Sequence, residues 1–299
     1  MGEKSLSLKL SVVIPSFNGA GRLKDCIPVL FRAMAHAGFQ QEVIVVDDAS
    51  GDHSVEFIRG TYPQIRLLVH DINKGFISSV NDGVRACTNE LVVLLNNDVI
   101  VYEDTFDTLE QDFSDKSVFA VSFQSLNDAG TFREGLKKAP FVLGFYKIRH
   151  GAQDQPLDLS RVYDTFYAVG GHCAVRRSAF LELGGMDPLF APFYWEDLDL
   201  SFRARRAGYK VLYDPRCVVV HREIGTIKTH YGMRYIRRIR ERNRLLFHWK
   251  GLRNRPFLFL QHIVFVFFRL LTGVFLLDTD FYAGFFLALK ARLQRPIHL

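Results

Sequence analysis

Short runs of large aliphatic residues recur along the first half of this chain: Leu10 and Val12-Val13-Ile14, then Val43-Ile44-Val45-Val46, then Leu91-Val92-Val93-Leu94-Leu95. A strand that is apolar at every position is buried on both faces, and the sheet that suits it is a parallel one covered by helices. Amphipathic stretches at 22–37 and 74–87 lie between the runs and supply those helices. The spacing predicts strands at 9–17, 42–46, 66–69 and 90–95 and helices at 22–37, 74–87 and 104–113. Ser50 or Asp52 is placed to cap a helix after the second strand. Ligands of such sheets bind outside the carboxyl ends of the strands. The polar clusters that fall there, Ser16 to Asn18, Asp47 to Ser50, Asn73-Lys74 and Asn96-Asn97-Asp98, are therefore expected to line one crevice.

Beyond residue 126 the rhythm weakens. Residues 127–163, rich in Gly, Lys and Gln, read as loops over the crevice or an acceptor-side insertion. Strands at 173–176, 210–213 and 217–221 and helices at 178–183 and 196–207 follow, then a basic helix over 230–250, a break at Pro256 and an apolar stretch over 257–289. The division expected is a catalytic domain over 1–228, with halves at about 8–125 and 126–228, and a helical tail over 229–299.

With 299 residues and 48% hydrophobic content, the chain has material for one large α/β core. Cys26, Cys87, Cys173 and Cys217 form no C-x-x-C pair, which argues against a zinc or disulfide framework and for a reducing compartment. The first nine residues lack the apolar run of a secretory leader, so a cytoplasmic location is expected. The net charge of +6 is uneven: Arg234, Arg237, Arg238, Arg240, Arg242, Arg244, Lys250 and Arg253 face only Glu223 and Glu241 nearby. That excess points to an anionic partner.

Asp98 at the end of a buried strand suits a divalent cation bridging two phosphates, although Asn97 and Asp98 would equally well cap a turn. Asp47 and Asp48 would contact a base or ribose, or close an Asx turn. Glu196, Asp197 and Asp199, behind the aromatic pair Tyr194-Trp195, are more carboxylates than a helix start uses for capping. Asp199 lies one turn from Arg203 and is expected to pair with it, which leaves Glu196 and Asp197 as candidates for a general base. His221 closes an apolar strand as a packed residue or a ligand.

Five segments in order, Ser11-Val-Val-Ile-Pro-Ser-Phe-Asn18, Val46-Asp-Asp-Ala-Ser50, Asn73-Lys-Gly-Phe76, Leu95-Asn-Asn-Asp98 and Trp195-Glu-Asp-Leu-Asp-Leu200, resemble glycosyltransferase family 2 over about residues 10–250. The resemblance implies a GT-A fold: a mixed, mainly parallel sheet flanked by helices, here with a basic and apolar helical extension. It implies transfer of a sugar from a nucleotide-diphosphate donor with inversion, assisted by Mg2+ or Mn2+. Asn96-Asn97-Asp98 occupies the family's D-x-D position, with Asn96 in place of the first Asp, so Asp98 is left as the main carboxylate ligand and His221 joins it. Asp197 takes the place of the base, with Glu196 the alternative. Pro15, Ser16, Asn18, Asp47, Asp48, Lys74, Gly75, Asn96 and Asn97 would frame the nucleotide and its phosphates, and the segment Gly170-Gly171-His172 would pass close to the donor sugar and acceptor.

In the tail, Gln261, His262 and Arg269 interrupt the apolar run of 257–277. About −0.3 to −0.6 kcal/mol per large apolar residue competes there with about +2.5 to +3.5 for a central Arg. An interfacial helix or a re-entrant hairpin turning at 278–280 fits better than a lipid-surrounded span, giving peripheral or monotopic attachment to the cytoplasmic face of the plasma membrane, with arginines at anionic headgroups. A homodimer contact through these helices is the competing use, and Arg242, Asn243 and Arg244 would alternatively reach the donor diphosphate. Nucleic acid is not expected, since no recognised binding module is present. The expected acceptor is a glycan or a polyprenyl-linked sugar of surface polysaccharide synthesis, with a rhamnosyltransferase-like role. A nucleotidyltransferase is the enzymatic rival, but Gly19-Ala20-Gly21-Arg22 is too sparse for a triphosphate loop; a non-catalytic glycan-binding scaffold would have lost Asp98 or Asp197.

Overall fold

A computed structural model describes residues 9–38, 41–151, 157–222 and 229–294. Residues 1–8, Glu223 and residues 152–156 of the loop region lie outside the described residues. In chain order the elements are β1 (Leu10–Ser16), α1 (Ala20–His36), β2 (Gln41–Asp47), α2 (Ser54–Thr61), β3 (Arg66–Val69), α3 (Phe76–Ala86), β4 (Leu91–Leu95), β5 (Val99–Val101), α4 (Leu109–Asp112), β6 (Val118–Leu126) and β7 (Phe132–Glu134). The short strands β8 (Lys137–Lys138), β9 (Phe141–Val142), β10 (Phe145–Tyr146), β11 (Arg149–His150) and β12 (Tyr163–Asp164) follow. The remainder is β13 (His172–Arg176), α5 (Arg177–Glu182), α6 (Glu196–Arg206), β14 (Lys210–His221), α7 (Met233–Gly251), α8 (Pro256–Phe275) and α9 (Thr279–Gln294).

The main sheet runs β12-β14-β6-β13-β4-β1-β2-β3, with β5 added to β14 and β7 to β6. β4, β1, β2 and β3 are parallel, and β13 enters antiparallel between β4 and β6. Successive residues of β1 feed opposite layers: Leu10, Val12 and Ile14 meet Leu23, Ile27 and Leu30 of α1, while Val13 meets Val80 and Val84 of α3. The continuous apolar strands thus have helices on both faces, as their composition demands.

Three departures from the sequence reading have local causes. β6 is a buried strand that the reading passed over, because Ser122 and Ser125 interrupt its apolar run although both are fully buried. The helix expected at 104–113 shrinks to α4, since Thr105 Oγ1 accepts from Tyr102 N at 2.8 Å and donates to Val218 O at 2.6 Å, holding the chain in a turn. The strands expected at 210–213 and 217–221 are one strand, β14, bulged between Asp214 and Val218. Within 127–163, β7 and two small antiparallel pairs, β8 with β11 and β9 with β10, replace plain loop.

At the bulge, Arg216 donates to both carboxylate oxygens of Asp214 at 2.8–3.1 Å, and Thr108 Oγ1 donates to Asp214 at 2.7 Å. Neighbouring Asp112 is pushed up to about 7 by burial and by the charge of Asp214, against the pull of Arg216. A carboxyl with a raised folded pKa keeps a proton that the unfolded chain has released, so its contribution to stability is present at low pH and is lost as pH rises through about 7. Asp112→Asn, which cannot ionise, should therefore raise Tm more at pH 8 than at pH 5; an equal change at both pH values in thermal melts would refute this.

The C-terminal helices form a hairpin over α7. Gly284 of α9 lies against α7, where an added Cβ would sit 2.7 Å from Glu241 Cβ. Arg269 of α8 pairs with Glu241 and Asp278, and its guanidinium covers the Phe281 ring at 4.0 Å. His262 is buried, with Nδ1 2.8 Å from Gly144 O. The polar stripe of α8 thus faces the protein, and its outer face is apolar: Phe257, Leu260, Val264, Phe267, Phe268, Leu271 and Phe275 are all exposed. Gly144, at φ +75°, seats the β9–β10 turn on α8, where a Cβ would lie 2.9 Å from His262 Cα.

Candidate active site

Strand ends assemble the site. β13 pairs His172 with Leu95, and Asn96 N donates to Gly171 O at 2.8 Å, which joins the Gly170-Gly171 segment to Asn96-Asn97-Asp98. β14 pairs His221 with Val99 of β5, and Arg222 N donates to Asp98 O at 3.1 Å. Two segments more than a hundred residues apart in sequence therefore place His221 Nε2 3.4 Å from Asp98 Oδ1. That oxygen is buried and has no hydrogen-bond partner among the described residues. The separation suits two ligands of one divalent ion, whose bonds to N and O are about 2.1 Å long.

Glu134 and Lys137, which the sequence reading did not select, complete this wall with His172 of the glycine segment. Glu134 Oε1 lies 3.9 Å from His221 Nδ1 and 3.4 Å from His172 Nε2, and Lys137 Nζ contacts Glu134 Oε2 at 2.9 Å. Glu134, His172 and His221 are spaced closely enough to share an ion. Burial opposes ionisation of Glu134, but His172 and Lys137 hold its carboxyl well below the usual range; burial lowers His172, opposed by Glu134. His172 directly follows the glycine pair, which was a usable signal, whereas Glu134 and Lys137 sit in the stretch without periodicity.

Glu196 and Asp197 begin α6, and Asp197 meets the Gly170 segment. Tyr194 and Trp195 both have left-handed backbones, φ +70° and +78°. Such a conformation costs about 1–2 kcal/mol per L-residue. Asp197 Oδ2 accepts from Gly170 N at 3.1 Å and Oδ1 from Leu198 N at 2.7 Å. A Cβ on Gly170 would sit 3.2 Å from Asp197 Cβ, so the bare backbone permits that approach. Burial raises Asp197, opposed by those two N–H groups and reinforced by the charge of Glu134. Glu196 is driven further up by burial and by Asp197, and its Oε2 has no partner among the described residues. Burial and the charge of Asp197 thus favour the neutral form of Glu196, whereas two backbone N–H groups favour the charged form of Asp197. Asp199 is tied to Arg203 at 2.7 Å, as expected, and to Lys250 at 2.9 Å.

On the β1–β2 side, Asn97 Nδ2 donates to Ser16 Oγ at 3.0 Å, and Asn18 Oδ1 accepts from Gly51 N at 2.8 Å. Pro15 and Ser16 pair with Val46 and Asp47 in parallel register. Asp47 Oδ2 accepts from Ser50 N at 2.9 Å, while its buried Oδ1 has no partner among the described residues. Asp48 uses both oxygens on the backbone N–H groups of Lys74 and Gly75, each at 2.8 Å, and meets His70 at 2.8 Å. Its carboxylate thus holds the Lys74-Gly75 loop in place. Asp52 reaches Ser54 N and Ala20 N, serving the starts of both α2 and α1. The diphosphate role considered for Arg242, Asn243 and Arg244 does not match their contacts: Arg242 and Asn243 bind carbonyls before α6, and Arg244 covers Phe145 at 3.9 Å and pairs with Glu241.

Pre-mycofactocin glycosyltransferase of Mycobacterium tuberculosis (strain CDC 1551 / Oshkosh) is 28% identical over 217 residues, 71% of this chain and 42% of that protein. This chain thus spans under half of that relative's length. N-acetylglucosaminyl-diphospho-decaprenol L-rhamnosyltransferase of the same strain is 24% identical over 213 residues, covering 60% of this chain and 66% of the relative. The crystal structure of GalNAc-T7 with UDP, GalNAc and Mn2+ matches with a TM-score of 0.63 at 18% identity, covering 82% of this chain and 48% of that one. The mixed, mainly parallel sheet with its flanking and C-terminal helices is a GT-A fold. Residues 11–184 match the model described as Glycosyl transferase family 2, and the chain belongs to that family.

Proposed function

We propose that the protein is an inverting glycosyltransferase that moves a sugar from a nucleotide-diphosphate donor to a hydroxyl of a glycan or polyprenyl-linked acceptor in surface polysaccharide assembly. The observation that carries this reading is the place of Glu134, in contact with His221 of the Asp98 pair on one side and close enough to Asp197 to shift its ionisation on the other. Asp98 and His221 would hold Mg2+ or Mn2+, which when bound neutralises the departing diphosphate. Asp197 takes the proton of the acceptor hydroxyl as that oxygen bonds to the anomeric carbon. The bond from this carbon to the diphosphate oxygen breaks on the opposite side, its electron pair leaves with the diphosphate, and configuration inverts. Pro15, Ser16, Asn18, Asp47, Asn96 and Asn97 line the nucleotide side, with the loop held by Asp48 presenting Lys74 and Gly75. The family membership and the rhamnosyltransferase relative support a hexosyl or deoxyhexosyl donor and a lipid-linked acceptor.

The inverted amphipathicity of α8 supports attachment to a bilayer surface on the cytoplasmic side: polar residues turn inward and large apolar ones outward, the arrangement of a helix lying in the interface. Phe275, Leu276 and Leu277 at the hairpin tip are 76–88% exposed, and Arg234, Arg237 and Arg238 surround a single Asp280 beside it. That leaves a local cationic excess for anionic headgroups.

The test of the cation pair is thermal shift with a panel of nucleotide sugars. Mn2+-dependent stabilisation by the cognate donor should vanish in Asp98→Ala and in His221→Ala. Unchanged metal-dependent shifts in both variants would reject the pair.

A further inference from the structure

Asn243 lies on α7 with no solvent exposure, and its amide is aimed at the segment leading into Glu196 and Asp197. Its Nδ2 donates to Phe190 O at 2.7 Å, Tyr194 O at 2.9 Å and Phe193 O at 3.0 Å. Its Oδ1 accepts from Arg242 Nη1 at 2.8 Å, and the Arg242 guanidinium also donates to Ala191 O at 2.7 Å and Leu189 O at 3.1 Å. Two adjacent side chains thus gather five carbonyls from a six-residue stretch. An amide nitrogen carries only two protons, so three carbonyls converge on it through shared hydrogen bonds that no apolar residue would supply. Immediately downstream come the left-handed Tyr194 and Trp195, with the Arg240 guanidinium 4.3 Å from the Tyr194 ring centre. A backbone of that kind persists only where its surroundings over-determine it. Three residues after the last gathered carbonyl, Asp197 meets Gly170 N.

We propose that Asn243, supported by Arg242, is a positioning residue for group transfer: by fixing the carbonyls of residues 189–194 it sets the direction in which the Asp197 carboxylate faces the acceptor hydroxyl. This rests on the reading of Asp197 as the base. Asn243 touches no reacting atom, and its effect passes through the backbone it holds. A base displaced by about 1 Å loses on the order of a hundredfold in rate.

The experiment uses full-length Asn243→Asp, which keeps the shape but turns a carboxylate toward carbonyl oxygens, and the gentler Arg242→Lys, which removes the forked donor and leaves Asn243 in place. Steady-state kinetics across pH and Mn2+-dependent donor binding are measured with thermal melts as the folding control. The expected result for Asn243→Asp is a kcat at least about a hundredfold lower, with donor binding within about twofold of the parent and the pH limb that reports the base displaced. Arg242→Lys should show the same split at roughly tenfold, which keeps the test usable if Asn243→Asp does not fold. A loss of kcat no larger than the unfolded fraction, with the pH limb unmoved, would overturn the positioning role and leave only packing. Turnover retained in Asp197→Asn would remove the base reading and this proposal with it, whereas an inactive Asp197→Asn beside Asn243 and Arg242 variants of parental kcat would overturn the positioning role alone.

Discussion

Asp197→Asn should abolish transfer, lowering kcat by a factor of about 10²–10⁴, the usual contribution of a positioned general base. Donor affinity in the presence of Mn2+ should stay close to the parent value, because the substitution leaves Asp98 and His221 in place. The amide is nearly isosteric, so Gly170 N can still donate to the side-chain oxygen and the segment should keep its course. Glu196→Gln gives the contrasting result: burial and the charge of Asp197 already favour its neutral form, so the neutral amide should keep most of the rate. Equal losses in the two variants would mean that the base cannot be assigned to one carboxylate, and near-parental kcat in Asp197→Asn would reject the assignment outright.

The second large effect concerns the outer face of α8. Fully burying a Phe side chain is worth about 1.5–3 kcal/mol. Phe267 and Phe268 remain about 60% exposed, so replacing both with Glu should cost roughly 2–4 kcal/mol of partitioning, about 30- to 1,000-fold in affinity for a bilayer. Flotation with vesicles containing anionic lipid reads this directly, and the melting temperature should hardly move because neither ring packs into the core. Vesicle binding unchanged by the double substitution would dismiss the membrane reading. A parent that sediments as a dimer, ignores vesicles and dissociates on substitution would assign the face to a second copy of the chain instead.

The parallel half of the fold was legible because its strands are buried on both faces and end in polar clusters: β1, β3 and β4 lie within a residue or two of the expected bounds. Pairing within the other half was not, since β6 carries two buried serines, of which Ser122 is satisfied by a distant segment, its Oγ accepting from Val169 N at 3.3 Å. Nothing local marks such a residue as interior. At the site, Asp98, His221 and Asp197 are chain-local signals at element ends and could be selected one by one, and the structure puts the first two in contact. Glu134 and Lys137 depend on β7 lying beside β6 in a stretch without periodicity, a tertiary fact with no local trace. The arginines of α7 were read by charge alone, and their geometry reassigns several of them: a guanidinium that meets carbonyls or rings inside the molecule has little left for phosphate.

The seat of Gly144 on α8 bears on how this enzyme can be made tractable. The apolar hairpin is also the floor beneath the β9–β10 turn, within the same excursion of chain that delivers Glu134 and Lys137 to the crevice. Cutting at Pro256 would strip away that floor along with the exposed apolar face of α8, and a truncated protein would lose activity for reasons unrelated to membranes. Solubility is better sought by recolouring the outer face residue by residue, leaving His262 and Arg269 where they are, so that the apolar surface is removed while the scaffold stays.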